Sequence, residues 1–130
     1  MVNLVYDRDL ASKSLGIVIE QDEPGAATAT MTVTETMLNG HGIAHGGYVF
    51  LLADTAFAYA CNSYGPVTVA QSGQVTFLRP AALGDELVAR ATERDRFGRN
   101  GIYDVTVTRA DGEVIAEFRG QSRQTKASQT

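Results

Sequence analysis

Sixteen consecutive residues concentrate the chemistry of this chain: Asn39-Gly40-His41-Gly42-Ile43-Ala44-His45-Gly46-Gly47-Tyr48-Val49-Phe50-Leu51-Leu52-Ala53-Asp54. A polar, glycine-rich loop runs directly into an apolar segment that carries one carboxylate. If a helix begins near Gly46-Gly47, their N–H groups lack intrahelical acceptors and lie at the positive end of the helix dipole. Glycine lets a ligand approach that backbone closely. An ester or thioester carbonyl placed there is polarised as it becomes an oxyanion. The bland alternative is a tight turn ahead of a helix. Asp54, in an apolar helix, is costly to bury unless it has a partner or a task. Its structural alternative is a hydrogen bond to a neighbouring hydroxyl such as Thr55.

The spacing constrains how these groups could cooperate. Asp54 lies eight positions after Gly46, about 12 Å along a helix axis. One carbonyl cannot touch both, so a shared substrate requires them to come from two copies of the helix, antiparallel about a two-fold axis. The expectation is an obligate dimer with two sites at its interface. Asn39 offers a donor and an acceptor, either to fix the loop or to hold a water. His45 can bond the loop backbone or aid a leaving group.

Other motifs are weaker. His41 and His45 have i, i+4 spacing, but Gly42 between them argues for a loop and too few ligands are present for a metal site. The third glycine of a dinucleotide fingerprint is missing. Ser72 lacks the G-x-S-x-G elbow. Cys61 is the single cysteine, so no intrachain disulfide forms, and it reads as a small core residue.

The elements that must hold this loop and acid follow from periodicity. Asp9 to Leu15 is expected as a short helix closed by Gly16, followed by a strand from Ile17 to Gln21 and a turn at 22–25. Ala27, Ala29, Met31 and Val33 alternate with Thr28, Thr30, Thr32 and Thr34, the period of a half-buried strand. Gly47 to Asn62 reads as a helix, apolar on nearly every side and so expected to be buried all round. Strands are expected over Val67–Leu78, Glu86–Asp95, Tyr103–Thr108 and Val114–Arg119, with a loop at 96–101 and a hairpin turn at Asp111-Gly112. Residues 121–130 read as a frayed polar tail. One long helix followed by four strands on short connections predicts an α+β fold with an antiparallel sheet.

The chain has 130 residues, 44% of them hydrophobic and 20% charged, with a net charge of −4. That length fits a single domain, 1–130, with a substantial core. The negative balance argues against nucleic acid as a partner, but not against an anionic small ligand met by a few arginines. Met1–Asp9 lacks the basic start and long apolar run of a secretory signal. The most apolar run, Tyr48–Cys61, is shorter than the ~20 residues of a membrane span. The expected location is the cytoplasm.

Asn39, His45-Gly46-Gly47 and Ala53-Asp54, followed by Phe77-Leu78-Arg79-Pro80 and Gly84-Asp85, resemble the hotdog-fold acyl-CoA thioesterases, most closely their phenylacetate-degradation (PaaI-type) branch. The likeness covers nearly the whole chain. It implies a hotdog fold, one long central helix wrapped by an antiparallel sheet, with subunits paired into a continuous sheet as homodimers and often homotetramers. It implies that Asp54 attacks the thioester carbonyl or activates water to do so, that Gly46 supplies the oxyanion N–H, that Asn39 orients the water or the carboxylate, that His45 positions the loop and carbonyl, and that Ser72 helps place the water across the dimer interface. Gly47, Arg79, Pro80 and Arg99 are expected on the substrate or its CoA portion, with Arg94 and Arg96 as further phosphate candidates. Asp rather than Glu at position 54 matches this branch.

The expected activity is hydrolysis of aromatic (phenylacetyl- or hydroxyphenylacetyl-type) or medium-chain acyl-CoA. Coenzyme A is then part of the substrate, and no separate cofactor or metal is expected. Two rivals stand beside it. One is a hydratase or dehydratase in which His45 and Asp54 share an α-proton. The other is a non-catalytic acyl-CoA binder.

Overall fold

In the computed structural model, which describes residues 7–125, a short helix α1 (Leu10–Ser14) leads into β1 (Val18–Glu23) and β2 (Ala26–Thr32). A 3-10 turn (Glu35–Met37) precedes the long helix α2 (Gly46–Cys61), and β3 (Thr68–Phe77), β4 (Glu86–Phe97), β5 (Asn100–Arg109) and β6 (Val114–Gln124) follow it. The six strands form one sheet in the order β1-β2-β4-β5-β6-β3, with every neighbouring pair antiparallel. β3 therefore does not pair with the strand that follows it. It forms an edge beside β6, and the connection to β4 crosses back into the sheet.

Small residues let α2 lie close against the sheet. In β2 and β4, Ala27 faces Ala91 and Ala29 faces Ala89 across the register, with Met31 beside Leu87. All six are buried, as are Ala53, Ala56 and Ala60 of the helix. The expected alternation in β2 holds, with its alanines and Met31 inward. On β6, a Cβ at Gly120 would fall 2.7 Å from Cζ of Phe57, so a glycine there makes room for the ring. Phe57 also packs against Tyr103 and Phe118, and this aromatic group anchors the helix to the far half of the sheet.

Three expectations need correction. β4 runs to Phe97 and β5 restarts at Asn100, because Gly98 at φ +59° allows a much tighter turn than a loop over 96–101. Gln121–Gln124 are strand, not tail: Ser122 pairs with Ala70 and Gln124 with Thr68. Positions 126–130 lie outside the described residues. Finally, α2 is not buried on every side. Phe50, Leu51, Asp54 and Ala58 are partly exposed and Gly47 is exposed. They form one stripe at helical spacing, on a helix whose composition has no polar face to mark it.

Candidate active site

The loop ahead of α2 is built on Asn39. Its Oδ1 accepts the N–H of His41 (2.9 Å) and of Ile43 (3.3 Å). Two backbone donors on one atom identify that atom as the oxygen. The amide nitrogen has no protein partner among the described residues, which leaves Asn39 as a donor. Gly42 at φ +77° turns the loop, and Asn39 N–H donates to Ile43 O at 2.8 Å. The returning arm is tied to its surroundings by Ala44 N–H to Ala81 O and His45 N–H to Met37 O, both 2.8 Å.

His45 is the N-cap of α2. Its Nδ1 accepts the N–H of Gly47 at 3.0 Å, so the neutral ring carries its proton on Nε2. The two glycines thereby differ in hydrogen bonding. Gly47's N–H is capped, whereas Gly46's N–H has no protein acceptor among the described residues and stands at the positive helix terminus. That geometry suits a developing oxyanion.

Asp54 sits two turns further along, half-buried on the open stripe. Its carboxylate has no hydrogen-bond partner among the described residues. Thr55 does not serve it, because Thr55 Oγ1 pairs with Ser12 Oγ of α1 at 2.9 Å, both side chains buried. Burial, and secondarily the negative charge of Asp9, hold the Asp54 carboxyl above the ordinary carboxylate value of 3.8. The helix is continuous from Gly46 to Cys61, so the separation of about 12 Å between Gly46 and Asp54 stands.

A cavity of about 520 Å³ adjoins the helix start, and Asn39, Gly46, Val49, Phe77, Arg79 and Pro80 are among its walls. Four predicted residues thus meet in one place. Arg79 is held at the rim by Val114 O (2.8 Å) and Glu113 (3.4 Å). Ser72 lines a different cleft with Gln74, Arg119 and Gln121, and Arg99 lies with Val69, Gln71 and Arg123. Arg96 stacks on the Tyr64 ring, 3.5 Å from its centroid, and Arg94 pairs with Asp104 at 3.3 Å. Within the chain these residues do not join the Gly46 cavity. Sequence reasoning did not assign a role to Phe77, since an apolar residue ending a strand reads as core. Yet it is half-exposed and touches Gly46. Cys61 is buried, and burial pushes its thiol up to about 12. Among the described residues no cluster of three or more His, Cys, Asp or Glu could hold a metal ion, and no helix is long and apolar enough to cross a membrane.

Residues 41–116, which span most of the loop, α2 and the cavity walls other than Asn39, match the thioesterase superfamily. The chain is 48% identical over 118 residues to the acyl-coenzyme A thioesterase PaaI of Escherichia coli K12, covering 91% of this chain and 84% of that protein. It is 30% identical over 106 residues to human acyl-coenzyme A thioesterase 13, covering 79% and 76%. The solved structure of the E. coli PaaI protein from the phenylacetic acid degradation operon superposes with a TM-score of 0.93 at 45% identity, covering 95% of this chain and 90% of that one. A free helix-terminal N–H, an unpartnered acid on the same helix and this matched span agree: the chain belongs to the thioesterase superfamily and is a hotdog-fold thioester hydrolase.

Proposed function

We propose that the substrate is an acyl-CoA with an aromatic, phenylacetyl-type or medium-chain acyl group, and that two copies of the chain build each active site. The observation that carries this reading is the pair of unsatisfied groups on one helix, the Gly46 N–H and the Asp54 carboxylate, too far apart to serve one carbonyl within a chain. An antiparallel second α2 brings the partner copy's acid to the glycine. Two surfaces favour such pairing. Among the described residues the apolar stripe of α2 is open, and β3 is an edge strand with one unpaired side and exposed Val69 and Phe77. A homodimer, further paired as a homotetramer, is the assembly proposed, in the cytoplasm.

In this arrangement the Gly46 N–H receives the carbonyl oxygen as negative charge develops on it. Ionised Asp54 either attacks the carbonyl carbon, giving a mixed anhydride that water then opens, or takes a proton from the water that attacks. In both cases the C–S bond breaks, the thiolate leaves and takes up a proton, and the free acid is released. Asn39, with its oxygen already used by the loop, donates through its amide nitrogen to the water, the carbonyl or the carboxylate. His45 holds the first turn. Because its Nδ1 is engaged by Gly47, the structure favours this role over the shared-proton chemistry of a hydratase. The aromatic preference draws support from the operon of origin of the E. coli relative.

Free-thiol release is the test, measured with phenylacetyl-, benzoyl-, short- and long-chain acyl-CoA for wild type and Asp54→Asn. Release by wild type that is lost in the variant supports the proposal, and the panel orders the acyl groups. Saturable binding with no thiol from any member overturns it in favour of a binder.

A further inference from the structure

Gly46 is the first residue of α2 and its φ is not positive. Backbone conformation therefore does not require glycine at this position, where alanine would be the better helix former. Space does. A Cβ there would lie 2.9 Å from Cζ of Phe77 and 3.3 Å from both Cε atoms, so the ring meets the Gly46 backbone tip-first. The ring reaches from the last residue of β3, where its register partner on β6 is the small Ala116. It is 51% exposed, and it walls the same cavity as Gly46. Leu78 and Arg79 N–H both donate to Ile115 O (2.8 and 3.2 Å), which clamps the backbone just after the ring.

We infer that Phe77 is a positioning and specificity-determining residue: its ring fixes the Gly46 peptide and is the surface against which the acyl group packs. The inference rests on the reading above that Gly46 N–H receives the thioester oxygen. A carbonyl held there sends one arm into the adjoining cavity, whose walls include Ile43, Val49, Leu78 and Ile115. Of its polar side chains, Arg79 is engaged through Val114 and Glu113 and Asn39 through its oxygen, which leaves the Asn39 amide nitrogen as a single free donor. The amide-bearing arm of CoA carries several donors and acceptors and would leave most of them unpaired in such a space, so the acyl arm is the one that fits. A flat acyl group meets the half-exposed ring in an aromatic contact. A long flexible chain depends less on that wall.

Two measurements test this. Thiol release is followed for wild type, Phe77→Leu and Phe77→Ala on acetyl-, hexanoyl-, decanoyl- and phenylacetyl-CoA. Phe77→Ala is expected to shift the ratio of kcat/KM for phenylacetyl over decanoyl by about tenfold or more against the aromatic substrate, mostly through kcat, with Phe77→Leu between. Equal loss across the panel overturns the inference. Second, Gly46→Ala is introduced into wild type and into Phe77→Ala. The contact predicts a lower Tm in the first background and an unchanged or higher Tm in the second. Additive shifts overturn the positioning claim. Absence of thiol release by wild type would instead overturn the thioesterase substrate reading, with the Tm comparison still reporting on the contact.

Discussion

Replacing His45 separates two roles that an imidazole at this position could have. Nδ1 accepts the Gly47 N–H at 3.0 Å as the N-cap of α2. Deleting a side-chain cap costs about 1 kcal/mol. For 130 residues that corresponds to a fall in Tm of about 3–4 °C, so His45→Ala should melt lower by that amount. Activity should fall too, because the peptide between the cap and Gly47 carries the Gly46 N–H. Complete loss of an oxyanion donor costs about 10²–10³ in kcat, and misorientation should stay below that ceiling. His45→Asn restores a capping oxygen without an imidazole, and should recover most of both the Tm and kcat. His45→Asp also caps, but sets a negative charge beside the N–H proposed to receive the oxyanion. It should recover Tm and not kcat. Melting curves and thiol release on the four proteins provide the comparison. If His45→Asn melts like wild type yet is as inactive as His45→Ala, the imidazole acts chemically and the capping argument is refuted.

Further outcomes follow from the same geometry. Asp54→Asn should lose about 10²–10⁴ in kcat without a fall in Tm at neutral pH. Its carboxyl is raised by burial, so the folded state holds the proton more tightly than the unfolded state. Wild-type stability therefore declines as pH rises from the ordinary carboxylate value to the raised one, and the variant lacks that penalty. The acid limb of wild-type kcat/KM against pH should lie above the usual carboxylate value of 3.8, since the proposed mechanism uses an ionised Asp54. Asp9→Asn, which keeps a good cap for α1, should move that limb downward, and an unmoved limb would contradict the coupling. Cys61, buried with a thiol at about 12, should not react with a thiol-colour reagent at pH 8 until the protein is denatured. A signal from folded protein without substrate would contradict that burial.

What could be read from the sequence was set by contacts between near neighbours along the chain. The Thr/Ala alternation of β2, the extent of α2 and the Asp111-Gly112 hairpin all rest on local periodicity or turn chemistry, and each appears in the fold. The loop from Asn39 to His45 was legible for the same reason, since the side-chain hydrogen bonds that shape it span two to four residues. The partners of β3 and Thr55 were not. β3 joins β6, which begins 37 positions after β3 ends, and Thr55 joins Ser12, 43 positions away. The contact that best explains Gly46 comes from Phe77, 31 positions away. Viewed alone, Gly46-Gly47 fits a plain turn as well as an oxyanion site; the fold adds which N–H the His45 cap leaves unpaired and which distant ring fills the space beside Gly46. The open stripe of α2 escaped detection for a different reason. A helix apolar on every side carries no sign of which side its own sheet covers. That uniformity is informative once the fold is known. An ordinary helix on one sheet keeps a polar outer face, whereas here Phe50, Leu51 and Ala58 flank a lone carboxylate on the uncovered side. Such a surface has no use in water, and a second copy of α2 proposed there would give both the apolar residues and the acid a function.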